Sequence, residues 1–294
     1  MKLVTFTERG KQAFRVGVVI TEQGNDFVVD LSRVDSSLPR DMRALLQAMD
    51  GNFTPLKDVV DKAPREARLP MANVSLGPVV PDPRKIIGIG LNYRDHAKET
   101  NMPLPQTPAV FGKFPNTLIG SGETIRIPAN ISHVDYEAEL ACVIGRRAKY
   151  VTVQDALAYV AGYSVFNDVS EREFQMRTSQ WTLGKSFDTF GPFGPALVTS
   201  DEVPDPQTLG IRLRAGDELL QDSNTANMVF GVAELVSYLS SAMTLEPGDV
   251  IATGTPSGVG FTRKPPRFLR PGETVRVEID RLGVLENPVR LEKE

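Results

Sequence analysis

The sequence predicts a mainly β fold of the α+β class. Short apolar segments bounded by turn residues run through the 294-residue chain. They lack the regular alternation of strands and helices that a doubly wound sheet requires. Glycine and proline are frequent, with 24 and 22 residues, which favours many turns. Two or three segments with helical spacing of apolar residues add the α component of this class.

The composition indicates a globular protein and excludes several classes. Hydrophobic residues make up 41% and charged residues 24% of the chain, which excludes chain-wide disorder. The net charge of -4 gives no overall basic field for nucleic acid or an anionic membrane. A single cysteine, Cys142, excludes an intrachain disulfide framework, and two histidines exclude a three-histidine metal site. We expect a soluble cytoplasmic protein, because neither a secretion signal nor a membrane-spanning apolar segment is visible.

A proline-rich segment, residues 77–83, divides the chain. Its three prolines are incompatible with a helix and predict an extended linker. We therefore expect a small N-terminal α+β domain over residues 1–76 and a larger catalytic domain over residues 84–294. In the first domain, apolar patterning predicts strands at 2–6, 14–21 and 27–31 and helices at 41–49 and 56–62.

The larger domain carries most of the predicted strands. Alternating side chains predict a long strand over residues 136–144. The other predicted strands are 86–89, 163–167, part of 187–198, 249–252 and 274–279, with hairpins around Gly216-Asp217 and Leu282-Gly283. Helical spacing predicts helices over 153–160 and 232–243.

Three carboxylates stand at positions that suit a metal ion. In a strand, Glu137 and Glu139 project from one face, while Ala138, Leu140, Cys142 and Ile144 form an apolar face that predicts a core contact. Asp168 follows an apolar strand directly. Three carboxylates would suit a hard divalent ion such as Mg²⁺ or Mn²⁺. A solvated strand face for the two glutamates and a helix N-cap for Asp168 are the alternatives.

Two further segments carry residues with catalytic potential. His96 and Glu99 are neighbours on one helical turn, where the glutamate would raise the basicity of the imidazole and make it a general base. An incidental surface ion pair is the alternative. The proline-rich stretch after them, residues 102–108, predicts a mobile lid. Lys185 is a lone cation in an apolar, glycine-rich run, suited to a substrate carboxylate or enolate, or else to snorkelling at the surface.

These segments occur together in a known order, and the chain resembles the fumarylacetoacetate hydrolase family over residues 84–291. The resemblance rests on five motifs, which read GLNYRDHAKE, DYEAELACVIG, FNDVSEREFQ, WTLGKSFDTFGPFGP and GDVIATGTPSGVG. The family fold is a mixed β-roll, usually dimeric. The first 75 or so residues resemble the small leading domain of the longer members.

The resemblance implies a role for each matching residue. Glu137, Glu139 and Asp168 would bind Mg²⁺ or Mn²⁺. His96 and Glu99 would activate water, and Lys185 would hold negative charge. Three further positions would contact the substrate, namely Arg172, Gln175 and Thr255. His133 matches no role, and we expect it at the surface or behind the site.

The implied function is divalent-metal-dependent C–C bond cleavage of a 2-oxo acid through an enolate. Hydrolysis of an acylpyruvate or fumarylpyruvate and decarboxylation of oxaloacetate both fit. Hydration or isomerisation of a 2-oxo-enoic diacid, hydrolysis of a sugar-derived diketo acid, and a non-catalytic metal-bound scaffold are the alternatives. The expected partner is a small 2-oxo acid, in a homodimer without nucleic acid or membrane.

Overall fold

The computed structural model describes residues 1–292, and most of its regular structure is β-strand. In chain order the strands are β1 (Lys2–Glu8), β2 (Arg15–Glu22), β3 (Asn25–Asp30), β4 (Arg68–Pro70), β5 (Val74–Leu76), β6 (Ile86–Gly90), β7 (Ala109–Lys113), β8 (Leu118–Ile119), β9 (Ile125–Ile127), β10 (Val134–Asp135), β11 (Ala138–Ile144), β12 (Val160–Asn167), β13 (Ser170–Glu171), β14 (Gly191–Thr199), β15 (Gly210–Ala215), β16 (Glu218–Asn224), β17 (Val250–Ala252), β18 (Thr274–Ile279) and β19 (Gly283–Leu291). The helices are α1 (Leu31–Val34), α2 (Met42–Met49), α3 (Thr54–Asp61), α4 (Arg94–Glu99), α5 (Arg172–Met176) and α6 (Val232–Ala242). The predicted mainly β class is confirmed.

The strands form two main sheets and one small ladder. The larger sheet has the order β4-β3-β2-β1-β14-β12-β11-β17-β6-β7, with β5 beside β1 and β8 beside β14. The second sheet has the order β16-β15-β18-β19-β9, and β10 and β13 form a two-stranded ladder. Most neighbouring strands are antiparallel, but β6 runs parallel to β17. The sheets are therefore mixed, as predicted.

Strand β11 lies at the centre of the fold because apolar layers cover both of its faces. Cys142 packs in a core that includes Val277 of the second sheet. The next residue, Val143, points to the opposite face and packs with Leu45 of α2. Burying one such aliphatic side chain fully contributes about 1.5–3 kcal/mol. The apolar face predicted for this strand is confirmed, and its opposite face is buried as well.

Local sequence explains why α2 forms and where it ends. The Asp41 side chain accepts a hydrogen bond of 2.8 Å from the Ala44 amide and caps the N-terminus. Apolar side chains at helical spacing, including Leu45 and Leu46, face the core. Asp50 adopts a left-handed conformation with φ of 42° and ends the helix.

Residues 1–76 share a sheet and a core with the rest of the chain. Lys2 pairs with Val198 where β1 joins β14, and Leu3 lies in the same apolar cluster as Phe166. The proline-rich segment is not an exposed tether, because Val79 and Val80 within it are fully buried. The division into residues 1–76, 77–83 and 84–294 stays a prediction about independent folding units.

Two predicted elements differ from the observed ones. The strand predicted over 136–144 starts only at Ala138, because the Glu137 amide donates to the Asn167 side chain instead of to a strand backbone. The helix predicted over 153–160 is a short 3-10 turn, Ala156–Tyr159, and Val160 already pairs with Ile144 in the sheet. Strand pairing at Val160 overrides the helical spacing. Within residues 1–292, no helix is long and apolar enough to cross a membrane.

Candidate active site

Three carboxylates meet where β11 and β12 lie side by side. Glu139 is in β11, Glu137 directly precedes it, and Asp168 directly follows β12. Antiparallel pairing of Ala138 with Asn167 brings these chain positions together. One carboxylate oxygen from each of the three residues lies within 4.8 Å of the other two. The solvated strand face is therefore wrong, because the exposed fraction of Glu139 is 1% and that of Glu137 is 6%.

Two lysines and an arginine bind two of these carboxylates. Lys185 Nζ lies 2.7 Å from both Glu137 Oε2 and Asp168 Oδ2. Lys113 Nζ donates to Asp168 Oδ1 over 2.7 Å and also bonds the Lys185 carbonyl oxygen. Arg172 Nη1 contacts Glu137 Oε1 over 2.7 Å. The structure thus places Lys185 inside the carboxylate cluster and rules out a surface snorkelling role.

The third carboxylate, Glu139, is bound by none of these three cations. Its Oε2 accepts a hydrogen bond of 2.9 Å from the Gly254 amide. Burial and the neighbouring charges of Asp168 and Glu137 raise its pKa well above the usual range. Burial also opposes ionisation of Glu137, but Lys185 and Arg172 outweigh it and lower that pKa to about 2. Glu139 is therefore the carboxylate of the cluster that no cation of the chain neutralises by direct contact within residues 1–292, and the oxygen donors of the cluster fit a hard divalent cation.

The histidine–glutamate pair forms on α4 as predicted. His96 Nδ1 lies 3.3 Å from Glu99 Oε2, and the Gly258 amide donates to Glu99 Oε1 over 2.9 Å. Burial opposes ionisation of Glu99, but hydrogen bonds from His96, Thr262 and the Gly258 amide lower its pKa. Glu99 is therefore a carboxylate at neutral pH. When Nδ1–H donates to it, His96 Nε2 is left as a proton acceptor.

The other predicted site residues line the same cavity. Arg172, Gln175 and Thr255 border it together with His96 and Lys185. Gln175 Oε1 accepts a hydrogen bond of 2.8 Å from Arg172 Nη1. The Thr255 hydroxyl accepts one of 2.8 Å from Gln221 Nε2. With Glu137, which also lines the cavity, the structure brings together residues from all five motifs at one surface.

The cavity has a volume of about 190 Å³ and a largely apolar wall. Phe111 and Trp181 form an edge-to-face pair with ring centroids 5.8 Å apart. Trp181 packs directly on the backbone of β6, where a Cβ atom at Gly90 would lie 2.2 Å from the indole ring. The remaining apolar lining includes Ile89, Leu91, Met102, Pro105, Ala109, Met176 and Phe261. Such a volume suits a small ligand, since pockets for drug-sized ligands have volumes of about 300 Å³ or more.

Sequence reasoning missed two charged residues of this site. Lys113 is a lone cation in an apolar, glycine-containing run, the same signal that singled out Lys185. Asp135 is fully buried and binds Arg172 Nε over 2.8 Å. Its sequence position, two residues before Glu137, gave no sign of that contact. His133 lies half-exposed beside Glu173, with 4.0 Å between its Nδ1 and Glu173 Oε2.

Fold and site together define a mainly β enzyme with a buried three-carboxylate centre able to hold a divalent ion. Residues 85–290 match the family model of the fumarylacetoacetate (FAA) hydrolase C-terminal domain. The chain therefore belongs to the fumarylacetoacetate hydrolase family and is an enzyme of that family. The resemblance seen in the motifs is confirmed.

Full-length relatives and solved structures extend this match. The mitochondrial oxaloacetate tautomerase fahd2 of Xenopus laevis is 46% identical over 291 residues, covering 98% of this chain and 90% of the relative. The fumarylacetoacetate hydrolase of Exiguobacterium antarcticum superposes with a TM-score of 0.85 at 36% identity, over 99% of this chain and all of that one. The maleylpyruvate hydrolase of Sphingobium sp. SYK-6, in complex with manganese(II) and pyruvate, superposes with a TM-score of 0.80 at 32% identity over the full length of both chains. The cytoplasmic location and the homodimer stay predictions for this chain.

Proposed function

We propose that the chain forms an enolate from a small 2-oxo dicarboxylic acid and that its reaction is keto–enol interconversion of an oxaloacetate-like substrate. One observation carries the proposal: Glu137 of the three-carboxylate cluster, Lys185 and His96 border one cavity of about 190 Å³. The 46% identity to an oxaloacetate tautomerase over 98% of the chain supports this reaction.

Each site residue would have a separate role in this reaction. Arg172 would hold a substrate carboxylate, with Gln175 and Thr255 near its other oxygens. His96 Nε2 would take a proton from C3, and the electron pair of that C–H bond would form the C2=C3 double bond and a negative oxygen on C2. Return of the proton to that oxygen gives the enol. Glu99 would orient the imidazole and stabilise its charged form.

Glu137, Glu139 and Asp168 would hold Mg²⁺ or Mn²⁺ in this site. Such an ion, when bound, stabilises negative charge on a substrate oxygen. In the chain itself, the Lys185 ammonium group contacts two of these carboxylates, Glu137 and Asp168, at 2.7 Å from each. It would support the enolate oxygen by the same electrostatic attraction. The apolar wall would exclude water and strengthen these interactions.

C–C bond cleavage is the second candidate. The hydrogen-bonded His96–Glu99 pair favours it, because this pair could also deprotonate a water molecule that attacks a distal carbonyl. The 32% identity to a maleylpyruvate hydrolase supports this reading. Decarboxylation of oxaloacetate needs the same enolate but no water.

The test is turnover of a substrate panel by protein loaded with Mg²⁺ or Mn²⁺, with EDTA as control. The panel is enol-oxaloacetate, acetylpyruvate, fumarylpyruvate and a 2-keto-3-deoxy sugar acid. We expect EDTA-sensitive loss of the enol absorbance of oxaloacetate without pyruvate formation. Pyruvate from oxaloacetate or from an acylpyruvate would move the assignment to C–C cleavage. No turnover of any compound by metal-loaded protein would contradict both candidates.

A further inference from the structure

Asp135 is a fully buried carboxylate that belongs to none of the metal-binding or proton-transfer groups above. It follows Val134 in the short strand β10. Its Oδ2 accepts hydrogen bonds from Arg172 Nε over 2.8 Å and from the Phe261 amide over 3.1 Å. Its Oδ1 accepts from the Gly260 amide over 2.7 Å. One carboxylate thus binds both an arginine side chain and a loop that is 125 residues away in sequence.

The contacts around Arg172 fix its guanidinium group from three sides. Asp135 holds Nε, while Glu137 and Gln175 share Nη1. The Phe261 ring stacks on the guanidinium carbon at 4.5 Å from its centroid. The remaining nitrogen, Nη2, is buried and has no hydrogen-bond partner among residues 1–292. A buried charged donor without a partner costs stability unless a ligand binds it.

Gly260 lies against Asp135, and the absence of a side chain at this position allows their contact. A Cβ atom at that position would lie 2.6 Å from Asp135 Oδ1. Only glycine therefore lets the loop amide approach the carboxylate this closely. The same loop carries Gly258, whose amide binds Glu99. Asp135 thus joins the arginine that would bind the substrate to the loop that supports the histidine–glutamate pair.

We propose that Asp135 is a positioning residue, which fixes the Arg172 guanidinium group at the cavity wall so that it binds the second carboxylate of a dicarboxylic acid in the cavity. The proposal rests on the proposed function for the identity of the substrate. It requires only that a small dicarboxylate binds between Arg172 and the carboxylate cluster. Asp135 itself touches neither the substrate nor the reacting atoms.

The decisive variant is Asp135→Asn. An asparagine has one acceptor oxygen, so its NH₂ group must face either the Arg172 and Phe261 donors or the Gly260 donor. The orientation of Arg172 is then lost, while the volume of the side chain is kept. We expect KM for oxaloacetate to rise at least tenfold with kcat within about threefold, because an interaction made equally in ground and transition states affects KM.

A double-mutant cycle with Arg172→Lys separates positioning from a general structural effect. If Asp135 acts through Arg172, Asp135→Asn adds less than about twofold to KM in the Arg172→Lys background. If Asp135→Asn raises KM by the same factor in the wild-type and the Arg172→Lys backgrounds, the proposal is overturned. Phe261→Leu, which removes the stacked ring without burying a new polar group, should raise KM in the same direction and replaces Asp135→Asn if that variant does not fold.

Asp249→Asn is the matched control. Asp249 is a fully buried carboxylate that binds the Glu246 amide over 2.7 Å and Lys85 Nζ over 2.7 Å, outside the cavity. The Asp249→Asn variant should lower the midpoint of thermal unfolding as Asp135→Asn does, with KM unchanged. If Asp249→Asn raises KM as much as Asp135→Asn does, the change in KM reflects lost stability, and the proposal is contradicted.

A ligand-binding measurement tests the positioning role of Asp135 without depending on which reaction the enzyme catalyses. Trp181 is the single tryptophan of the chain and lines the cavity, so its fluorescence reports occupancy. Metal-loaded wild type should bind the unreactive dicarboxylate malonate, and Asp135→Asn should weaken that binding at least tenfold. Acetate, with one carboxylate, should bind equally to both proteins. Malonate binding that is absent, or unaffected by the variant, would overturn the proposal even where oxaloacetate is turned over.

Discussion

Among single residues, Glu139 has the least compensated charge of the site. Lys185 contacts both Glu137 and Asp168 at 2.7 Å, whereas Glu139 accepts its hydrogen bond from the neutral Gly254 amide. Its pKa is raised by burial and by two neighbouring carboxylates. A bound cation would remove this cost, so the stability of the protein and its metal content should be linked.

Glu139→Gln tests that link. Because the folded-state pKa lies above the ordinary 4.5, metal-free wild type should lose stability as pH rises above 4.5 towards the folded-state value. The variant lacks this loss, so its metal-free unfolding midpoint should equal or exceed that of wild type at neutral pH. Metal should stabilise wild type by about 2.7 kcal/mol at a hundredfold excess over Kd, and the variant by much less.

Thermal unfolding with and without Mn²⁺, together with metal analysis, measures both effects. Activity should fall with the metal content of Glu139→Gln. Full metal occupancy with retained activity would mean that Glu139 is not a ligand.

The second residue-scale prediction concerns the two histidines. His96→Ala should lower kcat by about 10²–10⁴-fold through loss of proton transfer, with metal content unchanged because His96 lies outside the carboxylate cluster. His133→Ala is the control, since His133 is half-exposed and outside the cavity. If hydrolysis is catalysed, His96→Ala should impair it more than decarboxylation, which needs no activated water. Equal activity of the two variants would refute the assignment.

Among elements, α4 and the glycine-rich loop after β17 act as one unit. The loop amide of Gly258 fixes Glu99, and the amide of Gly254 fixes Glu139. The loop glycines leave these amides free to reach carboxylates. Elsewhere on the cavity wall, Phe111 of β7 forms an edge-to-face pair with Trp181, whose ring packs on Gly90 of β6.

Trp181→Ala should widen the cavity at that wall. We expect the ratio of kcat/KM for an aromatic acylpyruvate to that for oxaloacetate to rise at least tenfold, because the indole no longer limits substrate length. Leu183→Ala is the control, since Leu183 lies two residues away and is 69% exposed. An unchanged ratio in Trp181→Ala would show that another part of the wall sets substrate size.

At the scale of the whole molecule, the larger sheet and one apolar cluster continue across the linker, and the folding of the chain depends on this continuity. Phe166 and Phe193 of the larger part lie in one apolar cluster with Leu3 and Leu45 of the first. Removing residues 1–83 would expose this cluster and the edge of β14. We expect residues 84–294 alone to aggregate or to lack a cooperative unfolding transition.

Size-exclusion chromatography and thermal unfolding of the shortened chain would test this. A soluble fragment that unfolds cooperatively would instead support two independent folding units, as the linker pattern predicts.

The sequence by itself determined the chemistry of the site and much of its fold. Strand alternation identified the core face of β11, helical spacing of apolar residues identified α2, and five motifs identified the family. The site residues Glu137, Glu139, Asp168 and His96 were all visible, because side-chain chemistry and spacing are local properties.

Only the tertiary structure decided how these residues interact. Lys113 and Asp168 are 55 residues apart, and Asp135 and Gly260 are 125 apart. Such contacts depend on which strands pair and in what register, and a local pattern does not contain that information. Burial on both faces of β11 likewise follows from packing between distant segments. That burial opposes ionisation of both Glu137 and Glu139, but Lys185 and Arg172 contact Glu137, so its pKa is lowered while that of Glu139 is raised.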